Sequence, residues 1–179
     1  FPHLCQDIVT NGTLITEEWA EKIIRTGTKL SISIDGVHKD TYEKVRRGGR
    51  FEDVLKTLKM LKHYRALRQN TKFKPELFMN FVVLRSKYKD VEDIVDFAAE
   101  NGIEFVQTVA GDTADFPPTD PFKKEDVTAD AGVIRYLQER LPEMHRKAEK
   151  FGIKYRNFFP DDACSSAEKT APKPGPEQG

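Results

Sequence analysis

The sequence predicts an α/β fold built on a parallel sheet. Short strand-like runs alternate with longer stretches whose apolar residues recur at helical spacing, which is typical of successive strand–helix–strand units. Five such strands are recognisable, around residues 8–9, 30–34, 77–84, 103–109 and 155–159. Two of them run into polar turn clusters, Thr10-Asn11-Gly12 and Ser33-Ile34-Asp35-Gly36. Because functional sites in parallel sheets lie at the carboxyl ends of the strands, both clusters are candidates for function.

The first unit spans residues 8–36 and contains one well-marked helix. Thr16 is a suitable N-cap, and Glu17 and Glu18 stand in the first turn, where the helix dipole favours acids. Gly27 is the expected residue just beyond the end of the helix. The apolar residues between these signals fall on one helix face: Ala20, Ile23 and Ile24.

The strand at residues 30–34 alternates apolar and polar side chains. Leu30, Ile32 and Ile34 therefore share one face, and the other face carries Ser31, Ser33 and Asp35. A parallel strand covered on both sides reads as a nearly continuous apolar run, so this one is expected to face a polar space such as a barrel lumen. The alternative is that Asp35-Gly36 is only a turn and the serines fill a small gap.

Three more helices and one more strand come next. Asp40 is expected to cap a short helix that ends at Gly48-Gly49, and residues 51–67 predict a longer one. Residues 69–75 read as a polar loop, after which Asn80 is the lone polar residue of the strand at 77–84. Asp90 is expected to cap the next helix, and Gly102 to end it. The buried face of this helix is predicted to consist of Val91, Ile94, Val95 and Ala98.

The last part of the pattern is less regular. Residues 110–120, rich in Gly, Asp, Thr and Pro, predict a long loop at the carboxyl end of a strand. A helix from about residue 129 to 151 is expected to break or kink near Pro142. Residues 160–179 lack apolar periodicity and predict a disordered tail or linker. The proposed domain therefore spans residues 1–159, with the tail at 160–179.

Composition excludes several classes of function. The 29 basic and 29 acidic residues balance, so there is no charge footprint for nucleic acid. No apolar run reaches the roughly 18 residues that a membrane helix needs. The two cysteines, Cys5 and Cys164, are not spaced as metal ligands, and no metal site is assigned. A reducing, cytoplasmic location is expected.

The chain reaches its first strand within a few residues of Phe1. Because a parallel strand needs neighbours on both sides unless it lies at an edge, we expect earlier elements of the fold to lie outside this chain. The strand at residues 8–9 would then form an exposed edge that favours association.

The order and spacing of several short motifs resemble the middle of a radical S-adenosylmethionine (radical SAM) enzyme. The motifs are Thr10-Asn11-Gly12-Thr13-Leu14, Ser31-Ile32-Ser33-Ile34-Asp35-Gly36, Thr41-Tyr42-Glu43-Lys44-Val45-Arg46, Gly49-Arg50-Phe51-Glu52-Asp53-Val54-Leu55, and residues 80–86 with 90–102. The likeness covers residues 8–109 and is strongest to the SPASM branch, whose C-terminal extension binds auxiliary iron–sulfur clusters and which includes sulfatase-maturing and peptide-modifying enzymes. It implies an incomplete six-stranded parallel (β/α) TIM-like barrel, of which strands three to six are present.

The resemblance also implies a cofactor-binding set. Ser33 and Asp35 would lie near the ribose and methionine of S-adenosylmethionine, and Arg46 would approach its carboxylate, which an arginine fork can bind bidentately. Arg47 competes with Arg46 for this role, and the alternative for both is a solvated arginine at a helix end. Asn11 and Asn80 would line the lumen at strand ends. Leu84 would approach the adenine.

Some family features are missing from this sequence. The cluster motif CxxxCxxC and the Gly-Gly-Glu stretch expected before this region are absent and would lie upstream of Phe1. Lys87 stands where an Asn is usual, and no catalytic residue is identifiable. Since a [4Fe–4S] cluster needs three protein thiolates when the cofactor supplies the remaining ligands, this chain alone is expected to be inactive.

Two hypotheses of function follow. In the first, the intact enzyme uses a [4Fe–4S] cluster, S-adenosylmethionine and an electron donor to generate a 5′-deoxyadenosyl radical that abstracts hydrogen, with a peptide or protein as candidate substrate. In the second, the chain is a truncated, non-catalytic α/β module that binds a nucleotide-like ligand or a partner protein. A CxxxCxxC motif encoded upstream of Phe1 would favour the first hypothesis, and a stop codon there would favour the second.

Overall fold

The structure, a computed structural model, describes residues 6–68 and 75–160. Its centre is a parallel sheet whose five strands follow one another in chain order. They are β1 (Asp7–Thr10), β2 (Lys29–Ser33), β3 (Leu77–Val83), β4 (Phe105–Ala110) and β5 (Lys154–Phe158). The sheet does not close: within the described residues, β1 and β5 each pair with one neighbour. The predicted α/β class and partial parallel barrel are confirmed.

Helices connect the strands. They are α1 (Glu17–Thr26), α2 (Lys39–Val45), α3 (Phe51–Leu67), α4 (Ile94–Asn101) and α5 (Ala131–Phe151), with 3₁₀ helices at Arg85–Glu92 and Pro121–Glu125. No helix in the described part of the chain has the length and apolar character needed to cross a bilayer. The polar loop predicted at residues 69–75 and the tail predicted at residues 160–179 lie almost entirely outside the described residues.

One face of the sheet carries the core, and the other is open. Leu30, Ile32 and Ile34 are fully buried, and Ile32 packs beside Thr57 of α3, where a Cβ on Gly12 would meet both side chains. On the opposite face, Val9 is 69% exposed and Val82 38%. In β2 the apolar side chains lie on the buried face, as predicted, whereas on the predicted polar face Ser33 is partly accessible and Ser31 is buried.

Local capping signals behave as expected where the partners are close in sequence. The Thr16 hydroxyl accepts a hydrogen bond from the Trp19 N–H at 3.3 Å and begins α1. Gly27 has a φ of 68°, in the left-handed region that favours glycine, and ends the same helix.

Two predicted caps are wrong. Asp40 lies in the first turn of α2, which begins after His38 and ends at Val45, before the two glycines. Asp90 lies inside the 3₁₀ helix, and α4 begins later, after Asp93. The Asp90 carboxylate is bound elsewhere, since it accepts hydrogen bonds from groups far away in the sequence.

The expected break at Pro142 does not occur, since α5 continues through this residue from Ala131 to Phe151. Proline removes one backbone hydrogen bond, which destabilises a helix interior. Here Pro142 lies on the exposed side, while the opposite side is packed into the core through Val133, Ile134, Leu137, Met144 and Ala148. Burial of that face holds the helix together across the proline.

In the loop between β4 and α5, one carboxylate binds two separate threonines. Asp126 accepts hydrogen bonds from the backbone N–H and the hydroxyl of both Thr113 and Thr128, at 2.7–3.1 Å. Burial raises the pKa of Asp126, but these hydrogen bonds outweigh burial and hold the pKa below its usual range. The long loop predicted here is therefore an ordered structure at the carboxyl end of β4.

Candidate functional site

A row of polar side chains crosses the open face, from the carboxyl end of β2 to the middle of β3 and β4. The strand register places Ser33 of β2 beside Asn80 of β3, and Asn80 beside Gln107 of β4. All three are partly accessible. The resemblance implies that Ser33 lies near the cofactor and Asn80 lines the lumen, and the strand register makes the two residues neighbours. Gln107 was not singled out, although the alternation Phe105, Gln107, Val109 would have indicated its face.

A charged pair lies just beyond the end of β2. The Asp35 carboxylate, buried at the strand end, accepts a hydrogen bond from the Nε of Arg46. Arg46 follows the last residue of α2, and its side chain remains 37% exposed. The hydrogen bond to Asp35 uses the Nε of the guanidinium, and the side chain remains partly open to solvent. Arg47 is exposed.

Gly36 allows the chain to turn tightly from β2 into α2. A Cβ at this position would lie 2.5 Å from the backbone nitrogen of Tyr42 and 2.7 Å from its Cα. These are backbone atoms of a helix, which cannot move aside easily. At Gly36 the backbone therefore passes close to the backbone of α2. This close packing places α2 and Arg46 next to the end of β2.

Lys87 is a buried cation behind this turn. Its side chain is almost inaccessible, its ammonium donates a hydrogen bond to the backbone carbonyl of Asp35, and the Nζ lies 4.3 Å from the ring centroid of Phe81. Burial lowers the pKa of Lys87 from 10.5 to about 8, against the attraction of nearby Asp35 and Asp90. The sequence marked Lys87 only as an unusual residue, because its partner Asp35 lies 52 residues earlier in the chain.

The last two predicted residues have different surroundings. Asn11 is exposed after β1, and its Oδ1 accepts hydrogen bonds from the N–H and hydroxyl of Thr13 at 3.1 and 2.9 Å. Leu84 is buried after β3, against Gly111, where a Cβ would come within 2.8 Å of its Cδ2. The cofactor roles assigned to these residues and to the polar row remain predictions.

The donor set suits a zwitterionic nucleoside better than a metal cluster. The hydroxyl and amide groups of the open face and the guanidinium beside the end of β2 can bind the hydroxyls and the carboxylate of S-adenosylmethionine. Among residues 6–68 and 75–160, no group of three or more His, Cys, Asp or Glu side chains is placed to hold a metal ion. Cys5 and Cys164 lie outside the described residues. In chemical type these donors suit S-adenosylmethionine, and no group of cluster ligands lies among the described residues.

Comparison with known proteins identifies related sequences and folds. The family model of the Radical SAM superfamily matches residues 7–98. An uncharacterised protein of Archaeoglobus fulgidus is 37% identical over 60 residues, which are 34% of this chain and 15% of that protein.

Solved structures share the fold at low sequence identity. SuiB from Streptococcus suis bound to S-adenosylmethionine aligns with a TM-score of 0.60 and 16% identity, over 84% of this chain and 32% of SuiB. SuiB bound to the precursor peptide SuiA aligns with a TM-score of 0.59 and 15% identity, over 91% and 34% of the two chains. For anSMEcpe with bound AdoMet and the Kp18Cys peptide, the TM-score is 0.58 at 17% identity, over 85% and 40%. The chain thus spans about a third of SuiB and two-fifths of anSMEcpe.

Proposed function

Because this chain belongs to the radical SAM superfamily, we propose that it supplies part of the cofactor-binding barrel of an enzyme that abstracts hydrogen from a peptide or protein. The family implies S-adenosylmethionine and a [4Fe–4S] cluster as cofactors. When bound, the cluster would pass one electron from a donor to S-adenosylmethionine, so that the C5′–S bond would cleave to methionine and a 5′-deoxyadenosyl radical, which would take a hydrogen atom from the substrate and become 5′-deoxyadenosine. The chain itself contributes binding, orientation and charge at the strand ends.

The observation that carries this proposal is the joint placement of the polar row and Arg46. Ser33, Asn80 and Gln107 offer hydroxyl and amide groups on the open face, where hydroxyls of a nucleoside can bind. Arg46 is oriented by Asp35 through Nε, so its terminal nitrogens can form a two-point contact with the carboxylate of S-adenosylmethionine. The Asp35 carboxylate thereby limits the rotation of the arginine before the cofactor binds.

Two adjacent arginines provide a matched test of this assignment. S-Adenosylmethionine is titrated calorimetrically, without oxygen, into the native protein that contains this chain and into its Arg46→Gln and Arg47→Gln variants. We expect Arg46→Gln to weaken binding at least about tenfold, because a charge-assisted contact is lost. Arg47→Gln, at an exposed position, is expected to change the affinity less than about twofold. Thermal melts of both variants establish that they are folded.

The opposite ranking of the two variants would reassign the carboxylate contact to Arg47. A native protein that binds adenosine or ATP as tightly as S-adenosylmethionine, and that contains no iron, would instead support the non-catalytic module. Both results are distinguishable from the expected one in the same titrations combined with iron analysis.

The peptide part of the proposal is supported by two relatives that were solved with peptides, SuiB with SuiA and anSMEcpe with Kp18Cys. Its test is isotopic: candidate peptides carrying deuterium are incubated with the reduced native protein and S-adenosylmethionine. We expect deuterium to appear in 5′-deoxyadenosine only when the labelled peptide is a substrate. Label transferred from a small metabolite, and from none of the peptides, would contradict a peptide substrate.

A further inference from the structure

We propose that Lys87 is a positioning residue for the S-adenosylmethionine site, which acts by holding the connection between β2 and α2. This inference rests on the proposed function, since it assigns a part in that same site to a buried residue outside the polar row. The argument depends on three contacts made by the 3₁₀ helix Arg85–Glu92.

The first contact joins Lys87 to the end of β2. Its ammonium donates a hydrogen bond to the backbone carbonyl of Asp35, while the side-chain carboxylate of the same residue accepts from Arg46. Asp35 is therefore held at its backbone by one cation and at its side chain by another. Any shift of the Asp35 backbone would also move the carboxylate that orients Arg46.

The other two contacts hold the connection from the same 3₁₀ helix. The Asp90 carboxylate accepts a hydrogen bond from the Val37 N–H at 3.3 Å and from the Thr41 hydroxyl at 2.6 Å. Lys87 and Asp90 thus bind the connection at residues 35, 37 and 41, on both sides of Gly36. We name these two side chains the clamp.

Burial disfavours the charged form of Lys87 in the clamp. Lys87 is only 3% exposed, and its Nζ also lies over the Phe81 ring. The charged groups that face it are Asp35 at the end of β2, Asp90 on its own 3₁₀ helix, Arg46 after α2 and Glu125 on the 3₁₀ helix Pro121–Glu125. Burial outweighs the carboxylates and lowers the pKa of Lys87 to about 8, so the charge of the clamp changes at an accessible pH.

The test uses two readouts and a matched control. Lys87→Met removes the ammonium with little change in side-chain length, and Lys89→Met makes the same change at an exposed position of the same 3₁₀ helix. Hydrogen exchange of the backbone amides in residues 36–46 is measured without ligand. The affinity for S-adenosylmethionine is then measured from about pH 6.5 to about pH 9.5, a range that includes the titration of Lys87.

We expect faster exchange at residues 36–46 in Lys87→Met and an affinity at least about tenfold lower than that of the native protein, with Lys89→Met unchanged. The native affinity should also fall as pH rises through about 8, where Lys87 loses its proton. Because the amino group of the ligand titrates too, the profile of Lys87→Met serves as the baseline, and the difference between the profiles reports on Lys87. If Lys87→Met does not fold, Lys87→Gln, which retains an N–H donor without the charge, replaces it.

The readouts separate the two ways of failing. Unchanged exchange in Lys87→Met, or native affinity with the native pH profile, would overturn the clamp. A native protein that does not bind S-adenosylmethionine would refute the proposed function and, with it, the role of Lys87 toward that cofactor. The exchange measurement reports on the contact with Asp35 in either case.

Discussion

The buried charge of Lys87 should make the stability of this protein rise with pH in the alkaline range. The pKa of Lys87 is lowered from 10.5 to about 8 in the folded state, because burial penalises the ammonium. Below about pH 8, both the folded and the unfolded chain hold the proton. Above about pH 8 the folded chain releases it while the unfolded chain retains it, so the free energy of unfolding increases with pH.

The size of the effect follows from the shift. One pKa unit corresponds to about 1.4 kcal/mol, so the full shift from 10.5 to about 8 corresponds to about 3 kcal/mol. Burial also raises the pKa of the Tyr42 and Tyr155 hydroxyls, whose contributions to stability are lost as pH rises above about 10. Between about pH 8 and about pH 10, Lys87 is therefore expected to dominate the change among the described residues, with a rise of about 2 kcal/mol.

Urea unfolding followed by circular dichroism at several pH values between about 7 and 10 measures this rise in the native protein, Lys87→Met and Lys89→Met. Native protein and Lys89→Met should become more stable across the window, whereas Lys87→Met should not. The destabilisation caused by Lys87→Met should consequently grow with pH. A native stability that is flat or decreasing, or the same rise in Lys87→Met, would refute the assignment of the shift to this residue.

Three substitutions test other parts of the structure. Gly36→Ala should lower the free energy of unfolding by about 2 kcal/mol or more, because its Cβ would meet the Tyr42 backbone at 2.5 Å; urea titration measures this, and a loss below about 0.5 kcal/mol would contradict the close approach. Asp126→Asn should speed amide exchange in residues 111–128, because the amide oxygen can accept from one threonine only and the NH2 group then faces the two donors of the other; unchanged exchange would show that the loop does not depend on the carboxylate. Thr16→Ala should lower stability by about 1 kcal/mol through loss of the N-cap, and an unchanged urea midpoint would argue against that cap.

Features that depend on neighbouring residues could be predicted from the sequence. The cap at Thr16, the glycine that ends α1 and the face assignment of β2 each follow from groups a few residues apart. The family resemblance depended on the order of such local motifs, and the family match at residues 7–98 confirms it. The predicted strands differ from the observed ones by one or two residues at their ends.

The residues that hold the candidate site together were decided by the tertiary structure. Asp90 was expected to cap a helix, but its hydrogen bonds go to Val37 and Thr41, about fifty residues earlier, where a buried carboxylate finds two donors. Lys87 reaches the carbonyl of Asp35 across a similar separation, and Gln107 joins the polar row only through the register of β3 and β4. Alternation and capping are set by short-range sterics and hydrogen bonds, which a sequence displays directly. Partners of buried polar groups depend on which strands become neighbours, and only the folded sheet determines that.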